Sequence, residues 1–267
     1  MAVLAPSNAE LAFKLYLEIG VATDLLAYST KQHYRSASVE FTSIAYDFLT
    51  QAFLVYEDQV LESAAQIRSI TSIVGSLLCC KTFEKTDYEA LITKTAQYAA
   101  KLLKKQDQCR MVCLCSRLFY LGGKDVSSSV LPRRPCCFIR RQHLLTVCCF
   151  TNQDINTYRN PQRVLECLQR GLKIADACTM SSSSNVLLFV EILDYYVYYY
   201  EIENPVITDK FVSGLIALIN EHFDSIGMSG SSTMSETRTY YGQIINQIKR
   251  KQAEEGKNKE RFGMIVC

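Results

Sequence analysis

IAYDFLTQAFLVYEDQV, residues 44–60, runs without a Gly or Pro, and its apolar residues Ile44, Phe48, Ala52 and Val55 recur at three- and four-residue spacing. A half-buried strand would alternate residue by residue; this spacing instead lines up one face of an α-helix. The same period appears on either side, in Leu11, Leu15, Ile19 and Ala22 before it and in Ile67, Ile70, Ile73 and Leu77 after it. Further helices are expected over 88–105, 107–120, 161–177, 185–201, 208–223 and 235–251, about nine in all. Capping chemistry places three starts: Ser7 with Glu10, Thr86 with Glu89, and Asn160 before Pro161. The cap oxygen accepts from an orphan amide, and proline at the first helical position has no amide to leave unpaired. Similar helices on short connections stack as antiparallel hairpins. The expected fold class is therefore all-α, an α-solenoid of antiparallel helix hairpins (HEAT-like).

Composition agrees. The chain has 267 residues, 48% hydrophobic and 21% charged, with only 11 Gly and 5 Pro, which suits helices better than a fold of many tight turns. A formal charge of +2 is too small for long-range attraction to nucleic acid or an anionic membrane. The twelve cysteines follow no secretory leader, since the N-terminus lacks a basic segment before an apolar one, so a reducing, cytoplasmic setting is expected. The most apolar stretch, 186–200, carries Glu191 and Asp194 and is short for a bilayer span. Neither Ala2 nor Cys267 fits a lipidation signal, so any membrane attachment is expected to be indirect.

Residues 124–153 break the pattern: two of the five prolines and four of the twelve cysteines fall here, with no sustained helical period. The stretch carries a formal +4 from Lys124, Arg133, Arg134, Arg140 and Arg141 against Asp125. It reads as an irregular insertion that divides the chain into 1–123, a first solenoid part; 124–153; 154–254, the remaining solenoid helices; and 255–267, a disordered tail. Gly123-Lys124 can be encoded as GGTAAG and Gln153 as CAG, so a retained intron is one reading of it, decided by the genomic and transcript sequences. An alternative function, a basic zinc or nucleic-acid-binding module, would centre on Arg133, Arg134, Cys136, Cys137, His143, Cys148 and Cys149. Adjacent Cys pairs are poorly spaced for a tetrahedral ion.

Catalytic constellations are absent from the sequence: His33, His143 and His222 are isolated, and there is no nucleophile elbow or phosphate-cradling glycine loop. The chain is expected not to be an enzyme and to hold no cofactor or metal. Cys109, Cys113 and Cys115 read as small apolar core residues, as do Cys79 and Cys80. Glu57-Asp58 and Glu191 with Asp194 read as solvated faces. The block Tyr195, Tyr196, Tyr198, Tyr199 and Tyr200 spreads around its helix, so part must be core and part must face outward. Lys101, Lys104 and Lys105 read as a basic cluster at a helix C-terminus, where cations complement the dipole.

KLLKKQDQCRMVCLCSRLF, residues 101–119, resembles a signature of the retromer large-subunit family, the thirty-fifth of the vacuolar protein sorting factors. IAYDFLTQAFLVYEDQV, RVLECLQRGLKIADAC (163–178) and LLFVEILDYYVYYYEIEN (187–204) agree with the family in order. Segment 124–153 departs from it, standing where the family has a short loop. Family members are longer, so the resemblance implies a fragment without the half that docks the arrestin-like subunit. It further implies a non-catalytic scaffold of the retromer coat in endosome-to-Golgi or vacuolar retrograde transport, cytoplasmic and peripheral on endosomal membrane. The implied partners are the metallophosphoesterase-fold retromer subunit, a second copy of the chain and the rest of the coat, with no nucleic acid. Resemblance maps a homodimer interface onto acidic Glu57 and Asp58 with Gln59, where an acid is usual, and onto basic Lys101, Lys104 and Lys105. The partner-subunit contacts are unknown beyond the expectation that inner helices between Tyr88 and Tyr200 carry them.

Overall fold

A computed structural model describes residues 8–31, 34–120, 158–179, 185–226, 232–254 and 256–267. Segment 124–153 and its cysteines, arginines and His143 lie outside the described residues, as do Ser7 and His33. Ten α-helices are described: α1 (Ala9–Thr30), α2 (Arg35–Gln59), α3 (Ser63–Cys79), α4 (Lys85–Ala100), α5 (Lys105–Cys115), α6 (Pro161–Thr179), α7 (Val186–Glu201), α8 (Asp209–Ile226), α9 (Ser232–Ala253) and α10 (Lys257–Phe262). A 3-10 turn, Ser116–Phe119, follows α5. No strand occurs among the described residues, and no described helix is long and apolar enough to cross a membrane. Described residues through Asn160 form one compact unit, and those from Pro161 onward a second.

In the first unit neighbouring helices run antiparallel and alternate helices run parallel. Tyr16 meets Phe48 and the Ser38 hydroxyl donates to the Ala27 carbonyl, so α1 and α2 run in opposite senses. Glu10 pairs with Arg68 at the start of α3, while Asp24 reaches the turn after it, so α1 and α3 run together. Closeness is set by a small residue: a Cβ at Gly20 would stand 3.0 Å from the Leu49 side chain. The Asp24 carboxylate, 1% exposed, accepts from the Lys81 amide at 2.7 Å, the Thr82 amide at 3.0 Å and the Thr82 hydroxyl at 2.6 Å. A buried carboxylate needs several donors to offset its lost hydration, and these are the amides of the α3–α4 turn.

The register of α1 differs from expectation. Ala12, Phe13, Tyr16, Leu17, Gly20, Thr23, Asp24 and Ala27 are buried, whereas Leu11 and Ala22 are exposed and Leu15 and Ile19 half-buried. Apolar residues stand on both sides of this helix, so period alone does not select the face. In α2 the buried row is Ala45, Leu49, Ala52, Phe53, Val55 and Tyr56, with Ile44 exposed; in α3 Ile67, Ile70, Ile73 and Leu77 are all buried as expected.

Capping is corrected at two of three sites. Asn8 caps α1, its side chain accepting from the Leu11 amide at 3.1 Å. The helix expected from Thr86 begins instead at Lys85, with no side-chain cap, and Glu89 accepts from the Tyr158 hydroxyl at 2.6 Å. The α6 start at Pro161 holds, and the Asn160 amide donates to the Phe119 carbonyl. Residues 158–160 therefore belong with the first unit.

The second unit is built around α7, in which Val186, Leu188, Phe189, Val190, Ile192, Leu193, Tyr196, Val197, Tyr199 and Tyr200 are buried. Tyr196 stacks near Phe211 and Phe189 against His222, which sets α8 antiparallel to α7. Tyr240 donates to Asp194 and Lys251 pairs with Glu201 at 3.3 Å, which sets α9 parallel to it. Residues 256–267, expected as part of a disordered tail, instead carry α10. Phe262 and Ile265 are buried, Gln252 donates to both their carbonyls, and Tyr200 donates to the Arg261 carbonyl. Two apolar anchors in a short polar segment give no helical period to read.

Candidate functional site

The six residues mapped by resemblance lie at the ends of helices in the first unit, and its packing brings them to one edge. Tyr98 of α4 sits with its ring centroid 5.6 Å from that of Phe53 and 4.5 Å from that of Tyr56, both on α2. Its hydroxyl donates to Glu57 at 2.8 Å, and the Lys94 ammonium lies 3.2 Å from the same carboxylate. Tyr46 of α2 meets Phe83, just before α4, so α2 and α4 run in the same sense and end together. The α2–α3 turn, with Glu57, Asp58 and Gln59 at its entrance, thus neighbours the α4–α5 turn with Lys101, Lys104 and Lys105; all six are exposed.

Electrostatics link the two clusters. Burial alone would lift the Glu57 pKa, but hydrogen bonds from Tyr98 and Lys94 and the charges of Lys94 and Lys101 outweigh it and hold the carboxyl below its ordinary range. The Tyr98 hydroxyl is pushed up, first by burial and then by the Glu57 hydrogen bond and charge. Sequence reading had no means of finding Lys94 or Tyr98 here, because both are distant from Glu57 along the chain and each fits a helix without it.

The basic cluster is not a helix C-terminus throughout. Helix α4 ends at Ala100 with Lys101 as its C-cap, but Lys104 is the N-cap of α5 and Lys105 its first residue. Cations at an N-terminus oppose the helix dipole, by roughly 0.3–1 kcal/mol each at the surface. The dipole accounts for Lys101 only. Lys105 donates to Gln108 at 3.1 Å, and Gln108 in turn donates to the Ala100 carbonyl, which ties α5 back to α4.

Other sequence candidates pack inward. Cys109, Cys113 and Cys115 are buried, as is Cys80, whose thiol burial pushes well up in pKa. No group of three or more His, Cys, Asp or Glu that could hold a metal occurs among the described residues. Tyr196, Tyr199 and Tyr200 are core, while Tyr195 and Tyr198 are half-buried.

Antiparallel hairpins with alternate helices in parallel, their turns carrying charge, define an α-solenoid, a helical-repeat protein. Comparison with known proteins makes the class particular. Residues 1–222 match the family model Vps35, vacuolar protein sorting-associated protein 35, and the chain belongs to that family. It is 37% identical over 206 residues to vacuolar protein sorting-associated protein 35 of Schizosaccharomyces pombe, covering 76% of this chain and 21% of that relative. Against protein 35B of Arabidopsis thaliana it is 32% identical over 246 residues, 90% of this chain and 25% of the relative. Against protein 35A of the same plant it is 35% identical over 216 residues, 79% and 22% respectively. The chain thus spans about a quarter or less of the length of these relatives.

Because Glu57 loses its proton at lower pH folded than unfolded, its contacts stabilise at neutral pH and are lost as pH falls through the lowered pKa. Tyr98→Phe removes one cause of the shift, so carboxyl NMR titration should find the Glu57 pKa moved up toward the ordinary range. An unmoved titration would contradict the contact.

Proposed function

We propose that the chain is a non-catalytic scaffold of the retromer coat, serving retrograde transport from endosomes toward the Golgi or vacuole. It binds the coat's metallophosphoesterase-fold subunit, pairs with a second copy of itself, and meets the endosomal membrane from the cytoplasm only through the rest of the coat. Family membership supports the setting. The observation that carries the self-pairing is the edge that bears both signs of charge, with Lys104 and Lys105 held against the α5 dipole. In an isologous contact each patch is used twice, so an acidic and a basic cluster on one edge satisfy each other across a two-fold axis. Lys105 also serves Gln108 within the chain, whereas the charge of Lys104, kept where the helix disfavours it, is explained by a partner's carboxylates. Gln59 takes one acid out of that pairing.

For the phosphoesterase-fold subunit, helices between Tyr88 and Tyr200 are the proposed contact, since solenoids bind partners along their inner helices. Calorimetric titration of that subunit with this chain should give saturable binding, and a flat titration would remove this partner. For self-pairing, light scattering should find dimers of the chain and monomers of a K101E/K104E/K105E variant with the same cooperative unfolding transition. Dimers of unchanged mass in that variant would overturn the interface.

A further inference from the structure

Each of the two turns at the charged edge carries a pair of neighbouring apolar residues, one turned in and one turned out. Val60 is 6% exposed and Leu61 82%; Leu102 is 4% exposed and Leu103 86%. The inward member of each pair plugs its turn, so closing the turn leaves Leu61 and Leu103 with no packing role within the chain. Single exposed leucines are ordinary on a protein surface. Two at this exposure on adjacent turns of one edge are a different arrangement, because the parallel run of α2 and α4, held by Tyr98 against Phe53 and Tyr56, places those turns side by side. Their surroundings differ in sign. Leu61 sits among Glu57, Asp58 and Glu62, and Leu103 among Lys101, Lys104 and Lys105.

We infer that Leu61 and Leu103 are the apolar anchors of the self-pairing edge, and that the surface covering them is the same edge of a second copy. The inference rests on the self-pairing proposed above and names what lies at its centre. Charge complementarity selects the occupant: an acid-flanked leucine and a base-flanked leucine on one edge match their own copy turned about a two-fold axis, Leu61 of each facing Leu103 of the other. Apolar burial at the centre excludes water, and the charge pairs around it strengthen as the local dielectric falls. The leucines supply affinity and the charges supply register and choice of partner.

The test is sedimentation equilibrium of the full chain at low and high salt, with three variants. L61S/L103S changes only exposed side chains, so its unfolding transition should match the parent's while its dimer dissociation constant rises roughly tenfold or more at either salt concentration. K101E/K104E/K105E should lose dimers most severely at low salt, since screening weakens the repulsion it introduces. L25S/L26S removes two exposed leucines from α1 and should leave the dimer unchanged. If charge reversal breaks the dimer but L61S/L103S pairs as tightly as the parent, the anchors are refuted and self-pairing stands. If L25S/L26S breaks it instead, the apolar contact lies on α1 and the anchors are likewise refuted. A parent chain that stays monomeric at every concentration removes both.

Discussion

Tyr98 is the contact on which the charged edge depends. Its ring fills the space between Phe53 and Tyr56, and its hydroxyl ends on Glu57, so one side chain joins the last turns of α2 and α4 through both apolar packing and a charge-assisted hydrogen bond. Helices that share only a parallel direction could slide along one another. The bond to Glu57 ties the last turn of α4 to the last turn of α2, so the acidic and basic turns follow at the same end of the unit. Asp24 does comparable work at the far side of the unit, where it gathers the α3–α4 turn onto α1.

The edge so formed combines features that folding alone does not call for. Lys104 stands at the positive end of a helix, and Leu61 and Leu103 stand in water beside neighbours that are already buried. Each is a small local cost, and in the self-pairing proposed above a second copy of the same edge would relieve them together. In the second unit the polar contacts are spent internally: Asp194 on Tyr240, Glu201 on Lys251, the Arg261 carbonyl on Tyr200. There the tyrosine-rich face of α7 is mostly core.

Helix content was readable because long stretches without Gly or Pro carry a sustained period, and the expected spans 161–177, 185–201 and 208–223 overlap α6, α7 and α8 almost throughout. Which face of a helix turns inward was readable in α3, where the other side is polar, and not in α1, where leucines stand on both sides. The capping residues illustrate the same limit: Asn8 and Ser7 are equivalent caps one residue apart, and Thr86 with Glu89 forms a matching pattern that the fold uses otherwise, Glu89 serving Tyr158. The charged clusters were visible as residues, but their meeting on one edge was not, since it depends on Lys94 and Tyr98 reaching Glu57 from another helix.

The central claim is that the two clusters recognise each other across copies, and mixing complementary variants tests it most directly. A D58K/Q59K/E62K chain is basic on both turns, and a K101E/K104E/K105E chain is acidic on both. The account predicts that each is monomeric alone by native mass spectrometry and that an equimolar mixture forms heterodimers. A mixture that remains monomeric, or variants that each pair with themselves as the parent does, would contradict it.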